Sequence, residues 1–346
     1  MTEKDFESLF ENKELHRNID QKIKKNLRRQ IYLKIMIVIV TLALIMTLIY
    51  RGTDMILTST NYNPIDEKNI VLNQDEKVFH LLMNSMINLY FPGKLYSGVG
   101  YTNLGFGCYE ITSKIQDAFD PLYIDGQYNY TLQIQRSHLE VLNQSNETLS
   151  IMLNEYYDEN QSESYKEYFL DQWQFNREDI EELPDSAVLD VSLSFPYTYT
   201  LQEAIDFMNQ YTSCQFVWLA TNVEGQIAEG FSLYDGILYD LSDDIKLQYP
   251  NLYLEQDITV EALENHYLSL LQLLLDHPDF ISLLSTYYGQ DVSLENVNHR
   301  YQKAKQNIDA IGVRGYVSKT DFEKMLDQGD IYYSYIHDVK LSKLQK

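Results

Sequence analysis

Cysteine is almost absent. Cys108 and Cys214 are the only two in 346 residues, so the chain is not a disulfide-built scaffold and a packed apolar core must hold it together. Their spacing leaves open whether they pair or stay free as buried thiols. Basic charge is also scarce, with 27 Lys+Arg against 51 Asp+Glu and a formal balance of −24. A surface that acidic repels phosphate backbones, which excludes nucleic acid as a partner for most of the chain. Chemistry-bearing motifs are missing too. No nucleophile elbow G-x-S-x-G, zincin H-E-x-x-H or phosphate-cradling G-x-x-x-x-G-K-[ST] occurs, so neither an enzyme class nor a cofactor is indicated.

What is present is unevenly distributed. Residues 1–30 hold Lys4, Lys13, Arg17, Lys22, Lys24, Lys25, Arg28 and Arg29, and are weakly basic overall, whereas the acidic excess falls after residue 51. Between them lies Ile31–Tyr50, IYLKIMIVIVTLALIMTLIY, whose one charge is Lys34. About 20 mostly apolar residues cross a bilayer core as a helix. Lys34 can snorkel, and Tyr32 and Tyr50 sit at aromatic-belt positions. Lys22, Lys24, Lys25, Arg28 and Arg29 crowd the N-terminal flank, while Arg51 stands alone on the other. The positive-inside bias therefore predicts a single-pass protein of the cell membrane, with residues 1–30 cytoplasmic, 31–50 in the bilayer and 51–346 extracellular. A cleaved signal peptide fits less well, because 30 residues is long for its basic region and MTLIYRGTDM carries no A-x-A-like site. No cysteine follows the run as a lipoprotein would require.

The tail has helical spacing of its own. Phe6, Leu9 and Phe10, then Leu15, Ile19, Ile23 and Leu27, recur at three- and four-residue intervals among charges. Thirty residues build no core, so this is a helix awaiting a partner, a helix lying on the inner leaflet, or a frayed basic flank. Residues 51–76 read as an exposed stalk. Residues 77–183 form a membrane-proximal subdomain with a helix over Lys77–Tyr90, strands within 95–111 and 128–135, and an acidic surface segment over Asn154–Glu182. A boundary near Pro184 opens a C-terminal region, 184–346. There SAVLDVSLSF alternates as a half-buried strand, Thr200-x-x-Glu203 caps a short helix and CQFVWLA is a second strand. Helices follow over Val260–Asp276 and Ser293–Ile311, then strand Val313–Ser318, a helix opened by Thr320-x-x-Glu323 and a strand Ile331–Leu341. Strands and helices interleave without βαβ regularity, so the expected class is α+β with two extracellular subdomains.

Two clusters invite a metal reading. Asp276-His277-Pro278-Asp279 with His266 could supply ligands, but an Asp/His pair before proline is commonly a helix end. Asp235-Gly236 with Asp240, Asp243 and Asp244 lacks the EF-hand spacing. No metal is expected at either. Tyrosine is abundant, 29 against 14 Phe. Tyr332, Tyr333 and Tyr335 suit a wet contact surface, although alternating tyrosines more often pack against a sheet.

The order of these parts carries a resemblance. SAVLDVSLSFPYTYTLQEA, then QFVWLATN, then GVRGYVSKTDFEKMLDQGDIYYSYIHDVKL resembles the C-terminal domain of the sigma-factor regulator family, the membrane-anchored anti-sigma factors of Gram-positive bacteria. FESLFENKELHRNIDQKIKKNLRRQ before an apolar run is similar to that family's short N-terminal region. The resemblance implies a non-enzymatic regulator whose cytoplasmic helix sequesters an extracytoplasmic-function sigma factor through Phe6, Leu9, Phe10, Leu15, Ile19 and Ile23. Its outer domain would answer an envelope protein or ligand. A membrane-anchored surface binding protein without a sigma-factor partner is the alternative.

Overall fold

The computed structural model describes residues 3–65, 78–118, 127–142, 180–221, 229–234, 241–254 and 258–341. It falls into two units, Met1–Thr60 and Asn61–Lys346. The first is one helix, α1 (Glu3–Thr60), 58 residues long. At 1.5 Å per residue it extends about 87 Å, and its stretch Ile31–Tyr50 covers about 30 Å, the thickness of a bilayer core. The helix is long and apolar enough to cross a membrane, and none of its apolar window is buried. Inside the apolar run the Thr41 and Thr47 hydroxyls donate to the carbonyls of Ile37 and Ala43, each at 2.8 Å, so neither is left unsatisfied. Arg51–Thr60, expected as stalk, continue the helix, because propagating an existing helix is easier than starting one. Of that expected stalk, Asn61–Ile65 belong to the second unit and 66–76 lie outside the described residues, as does most of the acidic segment Asn154–Glu182.

The second unit is α+β. Helix α2 (Val78–Tyr90) ends before Pro92 and leads into β1 (Lys94–Gly105), β2 (Cys108–Asp117), β3 (Gln127–Gln135) and β4 (His138–Val141). These form an antiparallel meander in the order β1-β2-β3-β4. The β1–β2 and β3–β4 hairpins turn on two residues with positive φ, Phe106-Gly107 and Arg136-Ser137, which gives the twist that short hairpins need. Tyr109, Ile111 and Ile115 of β2 and Tyr130, Leu132 and Ile134 of β3 alternate into the core.

The second sheet has the order β7-β6-β8-β5-β9, all antiparallel. Its strands are β5 (Ala187–Thr200), β6 (Gln215–Thr221), β7 (Glu229–Ser232), β8 (Asp309–Ser318) and β9 (Tyr333–Leu341). Among the described residues the sheets are joined by helices α3 (Leu201–Gln210), α4 (Asp243–Gln248), α5 (Val260–Leu275), α6 (Pro278–Tyr288), α7 (Leu294–Ala304) and α8 (Lys319–Gln328). The capping box opening α3 forms as the sequence suggests, with Thr200 and Glu203 satisfying each other's backbone. The helix that opens near Thr320 is capped instead by Ser318, which accepts from Asp321 N–H.

A large core cluster runs from Val78 to Ile331 across both sheets, beside a smaller one of Val217, Trp218, Ala220, Ile311 and Tyr316. Two expectations are corrected by packing. β5 is not half-buried: Asp190, Ser192 and Ser194 are buried along with Leu189, Val191 and Leu193, because the α2–β1 junction roofs its polar face. The helix expected over Ser293–Ile311 stops at Ala304, since Asp309 onward is drawn between β5 and β6 as the central strand β8.

Candidate functional sites

Of the six residues proposed to hold a partner, all lie on α1, where the helical backbone sets Phe6 and Phe10 one turn apart. Ile19, Ile23 and Leu27 follow at successive four-residue steps and are about half exposed, at 45%, 55% and 56%. Three aliphatic side chains on one face are thus uncovered by any other described residue. Lys22, Lys24, Lys25, Arg28 and Arg29 are exposed on the same helix, on the N-terminal side of the apolar run. A basic flank next to an apolar stripe is an amphipathic surface that no other described residue covers.

The metal-like cluster dissolves into helix ends. Asp276 caps α5 and accepts from the Tyr249 hydroxyl at 2.8 Å and from Gln272, while His277 Nδ1 pairs with the Leu273 carbonyl at 2.8 Å. Pro278 is then the first residue of α6, where its missing N–H costs nothing. His266 is fully buried in α5, its Nδ1 2.8 Å from the Asn251 carbonyl and its ring edge-on to Phe231. Among the described residues no three His, Cys, Asp or Glu side chains are grouped to hold a metal. Asp243 and Asp244 begin α4, and Asp235, Gly236 and Asp240 lie outside the described residues.

Cys108 and Cys214 are both free thiols, so the paired alternative is set aside. Cys108 opens β2 in one sheet; Cys214 immediately precedes β6 in the other. Burial, reinforced by the Asp321 carboxylate 3.7 Å away, pushes the Cys214 thiol up to about 12. It is a packed thiol and not a nucleophile. The tyrosines do not divide by strand alternation: Tyr332, just before β9, and Tyr335 are exposed, Tyr333 is half-buried and Ser334 is buried between them.

One cluster gave no sequence signal, because its members come from five strands. On the roofed face of the second sheet, Arg314 of β8 pairs with both carboxylate oxygens of Asp190 at 3.2 Å. A third Arg314 nitrogen donates to the Pro92 carbonyl at 2.8 Å. Ser192 Oγ lies 2.7 Å from His337 Nε2. Lys94 and Asp117, from the first sheet, form an ion pair nearby. His337 stands at a register shift in β9, which re-aims its ring toward β5. Desolvation holds the imidazole down to about 4, helped by the positive charges of Arg314 and Lys94 and opposed by Asp190. A serine hydroxyl beside a neutral imidazole has the spacing of a nucleophile and base. Here Ser192 is only 4% exposed and Asp190 is committed to Arg314, so the group acts as a hydrogen-bonded polar seam joining the two sheets.

A second buried polar set lies at the other edge. Arg300 of α7 is paired with Glu229 of β7 and donates to the Tyr90 hydroxyl of α2. The guanidinium also lies over the Tyr90 ring, 5.3 Å from its centroid. These contacts pin three elements around one buried charge.

No protein-family model, curated protein or solved structure matches the chain.

Proposed function

We propose that the chain is a single-pass membrane regulator of the anti-sigma type. Its N-terminal helix faces the cytoplasm and sequesters an extracytoplasmic-function sigma factor, and its acidic unit responds to an envelope protein or ligand outside. The observation that carries this reading is the continuity of α1. A tail helix lying on the inner leaflet must bend where it leaves the bilayer. In α1 residues 17–30 run on from the apolar stretch without interruption, and Ile19, Ile23 and Leu27 are covered by no other described residue. A stripe of aliphatic side chains on a helix that stands off the membrane favours a protein groove as its cover. The basic flank supports the inward orientation. The choice of a sigma factor as the partner rests on the resemblance, in the order of parts, of the head and the last 160 or so residues to the sigma-factor regulator family.

The test is transcriptional. Truncating a buried aromatic anchor costs roughly 2 kcal/mol or more, about thirtyfold in affinity. The double substitution Phe6→Ala with Phe10→Ala should raise the same transcripts as deletion of the gene, with the protein still inserted at normal abundance. Glu3→Ala or Glu14→Ala should do much less. A deletion that derepresses a regulon while the double variant does not would refute the anchor assignment. No change in transcription for either, under envelope stress, would leave a membrane-anchored surface binding protein as the surviving reading.

A further inference from the structure

Strands β5 and β8 part register near the end of β5. Ser194 faces Gly312 and Tyr199 faces Ala310, so residues 195–198 stand opposite the single residue Ile311. Pro196, which has no N–H to give a ladder, lies within this bulge, and Tyr197 is carried outward to 56% exposure. The ring is nevertheless held. It lies 4.9 Å from that of Tyr199, and Tyr199 stacks on the fully buried Phe195 at 4.2 Å, centroid to centroid. Phe207 of α3 meets Phe195 edge-on at 5.1 Å and Tyr211 at 5.2 Å. This row of rings ties Tyr197 to the core, so its place is fixed before anything binds it.

Negative charge lines the row. Glu203 accepts from the N–H and the hydroxyl of Thr200, and Asp330 accepts from the Tyr211 hydroxyl at 2.5 Å and from Gln210 at 2.9 Å. Those donors are neutral, and no described cation is ion-paired with either carboxylate. The Tyr332 N–H donates to the Ser194 carbonyl, which lays the segment holding Asp330 against the base of the bulge. The charges reach Tyr199: burial first, then Tyr197, Asp330 and Glu203, push its hydroxyl up to about 12. One cation already uses a ring of this row, the Lys324 ammonium lying 5.0 Å over Tyr211. Among the described residues none covers Tyr197 in that way.

Arginine fits both features. Its guanidinium stacks flat on a tyrosine face while its forked donors reach carboxylates. A free ammonium is best held in a closed cage, whereas an open ring at the surface suits a side chain presented by a peptide. The acidic excess after residue 51 draws a basic partner in. We propose that Tyr197, Tyr199, Glu203 and Asp330 form a binding site for an arginine side chain on a basic protein segment. The inference rests on the reading of an outer unit that answers an envelope protein and gives that partner its chemistry.

Calorimetry on the full chain in phosphatidylcholine nanodiscs tests it, with a short acetylated peptide of alternating glycine and arginine as the probe. Tyr197→Ala should weaken binding about fivefold, and Tyr197→Phe should stay within about twofold of the parent. Glu203→Gln keeps an acceptor for the cap and should weaken binding about threefold. Citrulline in place of arginine keeps the shape without the charge and should remove measurable binding. Asp243→Asn with Asp244→Asn removes two exposed charges from α4 and should change affinity less than about twofold. Failure of the parent to bind, no loss in Tyr197→Ala, an equal loss in Tyr197→Phe, or equal binding of the citrulline peptide would overturn the proposal. So would a loss in the α4 variant as large as that in Glu203→Gln, which would mark attraction by net charge alone. The measurement is made on purified protein, so its failure and that of the transcriptional test are separate results.

Discussion

Two side chains show how burial sets chemistry residue by residue. His337 is held neutral in the fold first because burial desolvates its charged form, then because Arg314 and Lys94 repel that charge, with Asp190 opposing them. Its folded value of about 4 lies below the ordinary 6.5, so the unfolded chain binds a proton more readily between those limits. Stability from this group is therefore complete above about pH 6.5 and is lost as pH falls toward 4. After allowance for partial solvent exposure the loss is about 2 kcal/mol. Urea unfolding at pH 7.5 and 4.5 should show the parent losing that much more stability than His337→Gln does. Equal losses would mean the imidazole is not held neutral by the seam. Cys214 offers a second check. With its thiol pushed up to about 12, it should resist iodoacetamide at pH 8 in the native protein and react once urea unfolds it. Mass spectrometry of the alkylated peptides reads the difference.

Elements are held together here by charges that would be costly alone. Arg300 joins α7 to β7 through Glu229 and to α2 through Tyr90, and desolvation lowers its proton affinity while Tyr90 raises it. Removing one member of a buried pair strands the other, at a cost of about 3–5 kcal/mol. Glu229→Leu should therefore lower stability by about that amount in chemical denaturation. Adding Arg300→Met should recover a substantial part, since a matched apolar pair leaves no stranded charge. A double variant no more stable than Glu229→Leu would show that shape, not charge, dominates at this junction. The same edge is tightly fitted around the Trp218 side chain. A Cβ on Gly230 would meet its ring at 2.7 Å and the Leu219 carbonyl at 1.9 Å, and the indole N–H reaches the Asn88 carbonyl of α2 at 3.1 Å.

At the scale of the whole chain, the proposed topology has a direct test. Protease added to intact protoplasts should remove the second unit and spare a tag placed before Met1, and a reporter fused after Lys346 should be active only if it folds outside the cytoplasm. A protected C-terminus would refute the orientation and with it the regulator reading.

Local signals were legible in the sequence because they rest on spacing. The apolar run and its basic flank, helix α2 ending ahead of Pro92-Gly93, the alternation in β3 and β5, and the Thr200–Glu203 cap all follow from periods of 2 or 3.6 and from the chemistry of chain ends. What only the tertiary structure decided depends on residues far apart in the chain. Asp190 and Arg314 lie 124 positions apart, Ser192 and His337 145, and Arg300 and Tyr90 210. No period predicts such meetings. The burial of β5 on both faces and the early end of α7 came from the same source: a roof over one face, and the pull of a central strand on residues with helical spacing. Tyr62 was hidden for the opposite reason. TSTNYNPIDE is polar and turn-rich and reads as a stalk, and only Phe79, Phe280 and Ser137, each from a distant segment, give half-buried Tyr62 a place against the core.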